Sequence, residues 1–582
     1  MKVLLVGINA KFIHSNLAIR YMQKYANRDG YRVDIAEYTI NQNIDTILSD
    51  IYKQKPDVLG FSCYLWNIEM VIKIMNAYKK IAKGTFIILG GPEVSYEAEK
   101  IMAEELEIDA IICGEGEEPF KALLTSLEKQ NTSLDNIQSL VYRKNNNIIK
   151  NTSREPLFMD ELPFVYEEGI GDLENRIIYY ESSRGCPFNC QYCLSSIEKG
   201  VRFRSFEKVK KELQFFLDQK VVQVKFVDRT FNCKKDHAMN IWSFLHLKDN
   251  GTTNFHFEIS ADLLDDEMIA FLNTVRPGLF QFEIGVQSTH EATIEAIKRK
   301  TNFIQIVENV KALKSSQNIH LHLDLIVGLP HEAYATFARS FNDVYCLKPE
   351  QLQIGFLKVL KGSGMHEKCE EYKIKYRDYA PYEVLCTKDL DYLEIEKLKM
   401  IEEMVELYYN SGHYDNTVLY LERFFDTSFG FYEALASFWE DNHYHKISHS
   451  KTSIATIMKD FGHQYKDIDI IFLKNVIKLD WCLQEKIKKF PDWLECTEAY
   501  SKEINNFYRD ENNISHYIPQ LREYSSKQVS RMVHIEIFDY DMTKYQNSIG
   551  IEIDKKRTAL LFNYFDRDRM RHNPRVFEVQ LV

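Results

Sequence analysis

The sequence predicts an α/β protein in three parts. Residues 1–130 form a parallel sheet with helices on both faces, 176–375 a partial barrel of six βα units, and 376–582 a mostly helical domain ending in a small β-sheet. Three observations carry this. Five apolar runs, at 3–6, 33–36, 58–61, 86–89 and 110–112, start roughly 25 to 30 residues apart, the length of a βα unit. Six more, at 177–180, 222–227, 255–259, 280–286, 321–327 and 353–359, alternate with stretches of helical periodicity such as 206–217. Beyond 376 the spacing turns helical, with Leu398, Ile401, Val405 and Tyr408 on one stripe that stops at Gly412.

In the first part, Leu17, Tyr21 and Tyr25 place apolar groups on one helical face between strands. Such sheets bind ligands beyond the carboxyl ends of their strands. Small and polar residues gather there: Gly7 to Asn16 after the first strand, Ser62-Cys63-Tyr64 after the third, Gly90-Gly91-Pro92-Glu93 after the fourth and Gly114-Glu115-Gly116-Glu117 after the fifth. Glycine lets backbone approach a large ligand closely. The dinucleotide fingerprint G-x-G-x-x-G is absent after the first strand.

Residues 131–175 turn polar and contain two prolines, which reads as a linker with one small hairpin near 139–142 and 148–149. The second part then opens with a strand and the loop Arg184-Gly185-Cys186-Pro187-Phe188-Asn189-Cys190-Gln191-Tyr192-Cys193. Three thiolates from one short loop suit three irons of a four-iron, four-sulfur (4Fe–4S) cluster and leave the fourth iron open to a small molecule. A structural zinc site would want a fourth Cys or His nearby, and 194–200 offers none. Barrels of this type do their chemistry at strand carboxyl ends, so Asp228, Glu258, Ser260, Glu283, Gln287 and Asp324 are the next suspects.

In the third part, aromatic residues such as Tyr420, Phe424, Phe431, Tyr432 and Trp439 read as core, with a substrate-shaping cap as the alternative. Runs at 534–538, 549–553, 559–564 and 576–581 alternate like strands, and 566–572 reads as a solvated loop or a phosphate-binding turn.

Composition narrows the function class. A formal charge of −12 gives no overall basic field, so nucleic acid is not a favoured partner. Eleven cysteines in 582 residues make no disulfide framework; Cys63, Cys113 and Cys346 read as small buried residues. No apolar stretch is long enough for a membrane span and the amino terminus is no signal peptide, which together predict a cytoplasmic protein.

The string CPFNCQYC, with an aromatic directly before its last cysteine, resembles the signature of the radical S-adenosylmethionine (SAM) enzymes. The resemblance implies a 4Fe–4S cluster on Cys186, Cys190 and Cys193, with SAM on the open iron and Tyr192 against its adenine. EIGVQS and DLIVGLP resemble the family's later-strand motifs, which implies SAM contacts at Glu258, Ser260, Glu283, Gln287 and Asp324. GGPEVS and CGEGEEP resemble the cobalamin-binding domain that precedes the barrel in one large subfamily, and LGFSCY sits where that subfamily often has a Ser or Thr under the corrin. The implied cobalamin contacts are Asn9, Ser15, Ser62, Gly90, Gly91, Glu93, Gly114 and Glu115. The lower-ligand motif D-x-H-x-x-G is missing, which leaves His14 as either an unexpected axial ligand or a hydrogen-bonding loop residue.

The expected activity is reductive SAM cleavage to a 5′-deoxyadenosyl radical and methylation of an unactivated carbon. A small-molecule substrate and a flavodoxin or ferredoxin reductant go with it. The alternatives are radical cyclisation or rearrangement, a tRNA-modifying enzyme using the arginines of 567–575, and a redox module that cleaves no SAM.

Overall fold

The computed structural model describes residues 1–27, 30–129, 133–197, 200–487, 490–494, 500–547, 555–568 and 572–581. The chain folds as two compact units, 1–334 with 355–392, and 335–354 with 393–582.

The first unit opens with β1 (Val3–Asn9), β2 (Val33–Thr39), β3 (Val58–Ser62), β4 (Phe86–Gly90) and β5 (Ala110–Ile112), one strand for each expected run. All pair in parallel, in the order β2-β1-β3-β4-β5. Strands covered on both faces need apolar residues at successive positions, and Val3, Leu4, Leu5 and Val6 are all buried. Leu4 and Val6 join Ile47, Ile51, Ile74 and Tyr78 on one face, whereas Val3 and Leu5 join Ile19 and Phe120 on the other. Ser62 at the end of β3 lies in register with Gly7 and Gly90, so three small or polar strand ends sit side by side.

The hairpin expected in the linker is present as β6 (Leu140–Lys144) and β7 (Asn147–Lys150). It extends the first sheet instead of bridging two domains: β6 pairs antiparallel with β5, and β7 with β6. Leu140, Val141 and Tyr142 are buried, and the pairing covers the edge of β5 and leaves β7 as the outer strand.

The barrel begins with β8 (Ile178–Tyr180). Next, β9 (Ser183–Cys186) and β10 (Gly200–Phe203) pair with each other as a two-stranded ribbon. β11 (Gln223–Phe226), β12 (Asn254–Ile259), β13 (Phe280–Gln287), β14 (His320–Val327) and β15 (Gln351–Phe356) complete a six-stranded sheet ordered β15-β14-β13-β12-β11-β8. The last strand ends before the expected 359, because Lys358 bridges instead to Glu383.

In the second unit the stripe of Leu398, Ile401, Val405 and Tyr408 is buried on a helix, Tyr392–Val405, and a π-helical turn, Glu406–Asn410; Gly412 follows at φ 64°. The helix Tyr334–Tyr345 carries aromatic residues that this unit uses: Phe341 and Tyr345 pack on Tyr432, and the Tyr345 and Tyr432 hydroxyls are 3.1 Å apart. That packing groups the helix with this unit. Most of the aromatic run is core, with Phe431, Tyr432 and Trp439 buried. Strands Val533–Phe538, Thr558–Arg567 and Pro574–Val579 form the terminal antiparallel sheet. The run at 549–553, and residues 569–571 of the arginine-rich turn, lie outside the described residues.

Cys63 is buried as expected and Cys113 partly so, but Cys346 is exposed, because it falls just past the helix Tyr334–Tyr345 on the solvent side. Among the described residues no helix is long and apolar enough to cross a membrane.

Candidate active site

The cysteine loop is an excursion between β9 and β10, and glycine makes the ribbon possible. Gly185 has φ 97°, and a Cβ there would lie 2.1 Å from the Gly200 carbonyl oxygen. Backbone bonds then fix the loop from outside: the Gln191 N–H donates to Ile297 O at 2.9 Å and the Met365 N–H to Gln191 O at 2.7 Å. All three thiols face one cavity of about 240 Å³. Cys186 Sγ lies 3.7 Å from Thr230 Oγ1. Burial pushes the Cys190 thiol up, and the Arg299 guanidinium, 3.9 Å from its sulfur, pulls it back. Arg299 also donates to the Tyr192 hydroxyl at 3.0 Å and to the Gly285 carbonyl, so one buried cation ties the cysteine loop to β13.

The ends of β12, β13 and β14 supply the rest of this cavity. Tyr192, Glu258, Ser260, Glu283, Gln287 and Asp324 all line it. Their carboxyls are in contrasting states. Burial acts to raise Glu283, but His256 at 3.1 Å and Lys225 at 3.0 Å outweigh it and bring the group down to about 2. Among the described residues Glu258 has no such partner, and burial lifts it to about 7 against the pull of Arg229. Asp324 is raised by burial and by the neighbouring Glu283 and Glu258 charges.

Among the described residues, two buried acceptors here, Asp324 Oδ1 and Gln287 Oε1, have no hydrogen-bond partner. Gln287 sits at φ 73°, with its amide folded over Gly285, where a Cβ would meet it at 2.2 Å. Natural proteins rarely leave such atoms orphaned unless a ligand, ion or water completes them. Three thiols beside an unpaired carboxylate and amide fit a cluster with a bound molecule that offers ammonium and hydroxyl donors.

Asp228, another suspect, does something different. It is fully buried and accepts from the Ser182 N–H at 3.0 Å and from the Ser182 and Ser183 hydroxyls, both at 2.6 Å. It orients the approach to β9.

A second cavity of about 620 Å³ lies beyond the carboxyl ends of β3, β4 and β5. Ser62, Gly90, Gly91, Gly114 and Glu115 line it, and the barrel closes it with Arg184, Gly185, Ser195 and Arg229. Its floor needs glycine. Gly91 has φ 111°, and a Cβ there would stand 2.5 Å from Cys63 O; Gly114 has φ 72° with open space around it. A wide floor of bare backbone fits a large flat ligand such as a corrin.

Asn9, Ser15 and Glu93 are not in this lining. Asn9 donates to His14 O at 3.1 Å and to Glu37, Ser15 donates to Ile177 O at 3.3 Å, and Glu93 is buried and accepts from the Tyr382 hydroxyl at 3.0 Å. They brace the loops that carry the cavity. His14 lies outside the lining too, with Nδ1 2.7 Å from the Tyr179 hydroxyl.

An ion network that the sequence did not announce lies beside the larger cavity and ties the loops of the first sheet to the barrel. Arg184, next to the cysteine motif, bonds Glu181 at 2.9 Å within the barrel and Glu117, the first residue of the helix Glu117–Lys129 after β5, at 2.7 Å, and stands 3.5 Å from Glu115. Arg202 also pairs with Glu115. Burial opposes ionisation of Glu115, but Arg184 and Arg202 hold it below the usual carboxylate range. Arg299 and Arg229 were likewise missed, since neither belongs to a periodic pattern or a ligand spacing; only their places on loops that follow barrel elements signal them.

Taken together, the fold sets a three-cysteine loop at the mouth of a partial barrel, beside a second cavity above a parallel sheet. Comparison with known proteins agrees. Residues 3–124 match the B12 binding domain, 180–344 the Radical SAM superfamily, and 370–562 a protein family of unknown function, DUF4080. The chain therefore carries a B12-binding domain, a Radical SAM domain and a DUF4080 domain in that order. Those domains imply a 4Fe–4S cluster, SAM and cobalamin as its cofactors.

An uncharacterized methyltransferase of Pyrococcus horikoshii is 29% identical over 292 residues, covering 48% of this chain and 62% of the relative. The 2-(S-pantetheinyl)-carbapenam-3-carboxylate methyltransferase of Streptantibioticus cattleyicolor is 25% identical over 375 residues, covering 59% and 52%. The chain thus spans between half and two thirds of these relatives' lengths. The cobalamin-dependent SAM radical enzyme OxsB, solved with aqua-cobalamin and SAM bound, has the same fold with TM-score 0.58 at 16% identity, covering 82% of this chain and 78% of that one.

Proposed function

We propose that the protein is a cobalamin-dependent radical SAM methyltransferase acting on an unactivated carbon of a small molecule. The observation that carries this is the junction of the two cavities: Ser195 and Arg229 line both, so a substrate there would reach the cluster side and the corrin side at once. When bound, the cluster and SAM supply a carbon radical and cobalamin supplies a methyl group.

The chain's own residues do the placing. Cys186, Cys190 and Cys193 hold the cluster, and Arg299 offsets its negative charge. Tyr192 and the ends of β12 to β14, with Asp324 and Gln287 as the open acceptors, hold SAM. Ser62, Gly90, Gly91, Gly114 and Glu115 form the corrin seat, and Asn9, Ser15 and Glu93 steady it from behind. Domain boundaries at 130, 175 and 375 go with this reading, the hairpin at 140–150 being counted with the first sheet. So do a flavodoxin or ferredoxin reductant and a cytoplasmic location.

The test is anaerobic. The protein is reconstituted with iron, sulfide and methylcobalamin, desalted, then given reductant and SAM while 5′-deoxyadenosine and S-adenosylhomocysteine are followed by mass spectrometry. Retained corrin absorption with both nucleosides formed is expected. Deoxyadenosine alone, with candidate substrates present, would move the assignment to a non-methylating radical reaction. A cluster that leaves SAM intact would make the protein a redox module.

A further inference from the structure

Arg229 is the unusual residue of the junction. It follows the buried Asp228 directly, so the hydrogen bonds from Ser182 and Ser183 pin its backbone. Its own side chain is exposed, yet it lines both cavities. The other arginines used in that region have partners. Arg184 is taken by Glu181 and Glu117, Arg202 by Glu115, and Arg299 by Tyr192 and the Gly285 carbonyl. Among the described residues Arg229 makes no hydrogen bond and no ion pair. The charged or ionisable groups it feels are Glu258, on the cluster side, and the Tyr64 hydroxyl, on the corrin side.

Neither of these fills its bonding capacity. A guanidinium presents five donors in a planar fork, and its best match is an oxyanion taken through two parallel bonds. We propose that Arg229 holds an anionic group of the substrate, a carboxylate or a phosphate, at the junction, so that the enzyme acts on an organic acid or phosphate. This assignment rests on the reading that the smaller cavity takes SAM and the larger takes the corrin. It also gives the binding a geometric purpose, because a fork anchored beside Thr230, whose hydroxyl lies 3.7 Å from Cys186 Sγ, sets the distance of the bound acid from the cluster.

The test uses reconstituted protein with cobalamin and SAM bound. Arginines are labelled with phenylglyoxal, and the adducts are located by peptide mass spectrometry in the presence of malonate, inorganic phosphate or the neutral dimethyl malonate. Arg229 is expected to react in the loaded protein and to be protected on the order of tenfold by saturating anion, the change that goes with a differential of about 1.4 kcal/mol. Dimethyl malonate should not protect it, and the stronger of the two anions tells carboxylate from phosphate. Protection by SAM or cobalamin alone would show that Arg229 serves a cofactor and would overturn the proposal. Labelling indifferent to both anions would overturn it as well. SAM cleavage is assayed on the same preparation, so that its absence alongside anion protection counts against the radical reading and not against the anion site.

Discussion

Two aspartates with buried carboxyl oxygens show how differently the two units treat polar groups. Asp480 lies inside the carboxy-terminal unit and accepts four hydrogen bonds, from the N–H and side-chain amide of Asn416 at 3.1 and 2.7 Å and from the N–H and hydroxyl of Thr417 at 2.8 and 2.6 Å. It thereby caps the helix Asp415–Leu421 from a distance in sequence. Asp324 lies at the mouth of the barrel, and among the described residues its Oδ1 has no partner. The first carboxyl is finished by protein and serves stability. The second is left open, a state that lowers stability in the free protein until a ligand, ion or water completes it.

Four experiments press on this contrast. The largest effect is expected at the ligand side: changing Cys186, Cys190 or Cys193 to Ala should abolish the cluster and SAM cleavage together, read as iron content and deoxyadenosine. A cluster-free variant that still cleaves SAM would sink the site assignment.

Asp480→Ala should cost about 2 kcal/mol or more in chemical denaturation, because it orphans a set of buried donors. Asp324→Asn should leave the free protein's stability within about 1 kcal/mol while weakening SAM binding on the order of tenfold. Equal destabilisation by the two changes would erase the distinction between finished and open carboxyls.

Gly91→Ala tests the corrin floor. Its φ of 111° and the 2.5 Å approach to Cys63 O make the substitution destabilising by more than about 1 kcal/mol, with corrin absorption lost from the reconstituted protein. Normal corrin retention would put the cofactor elsewhere.

The smallest effect concerns pH. Burial raises the folded-state Glu258 carboxyl to about 7, so its neutral form favours the folded protein. Its contribution is complete below the unfolded carboxyl's ordinary range, near 4.5, and is lost as pH rises through about 7. Stability of the ligand-free protein should therefore fall across that window by an amount that Glu258→Gln removes. The neighbouring Glu283, held at about 2 by His256 and Lys225 against its burial, works in the opposite sense and loses its contribution only in strong acid. A pH response that Glu258→Gln leaves intact would mean that this carboxyl is solvated.

What the sequence determined by itself was local and periodic. Runs of apolar residues at βα spacing marked β1 to β5 and most of the barrel strands, because a strand buried on both faces must be apolar at consecutive positions. The loop from Cys186 to Cys193 was legible because three soft ligands at short spacing are a chemical statement needing no fold. The strand-end residues Glu258, Ser260, Glu283, Gln287 and Asp324 were legible once the strands were, since parallel sheets put ligands at carboxyl ends.

Only the tertiary structure decided what depends on meetings between distant segments. It enlisted the hairpin β6–β7 as an edge of the first sheet and turned Asn9, Ser15 and Glu93 away from the cavity to brace its loops. It also brought Arg184, Arg202 and Arg299 onto partners far away in sequence. Above all it placed Arg229 where two cavities meet. A charge has no periodicity, and its role is set by which partners the fold supplies and which it withholds.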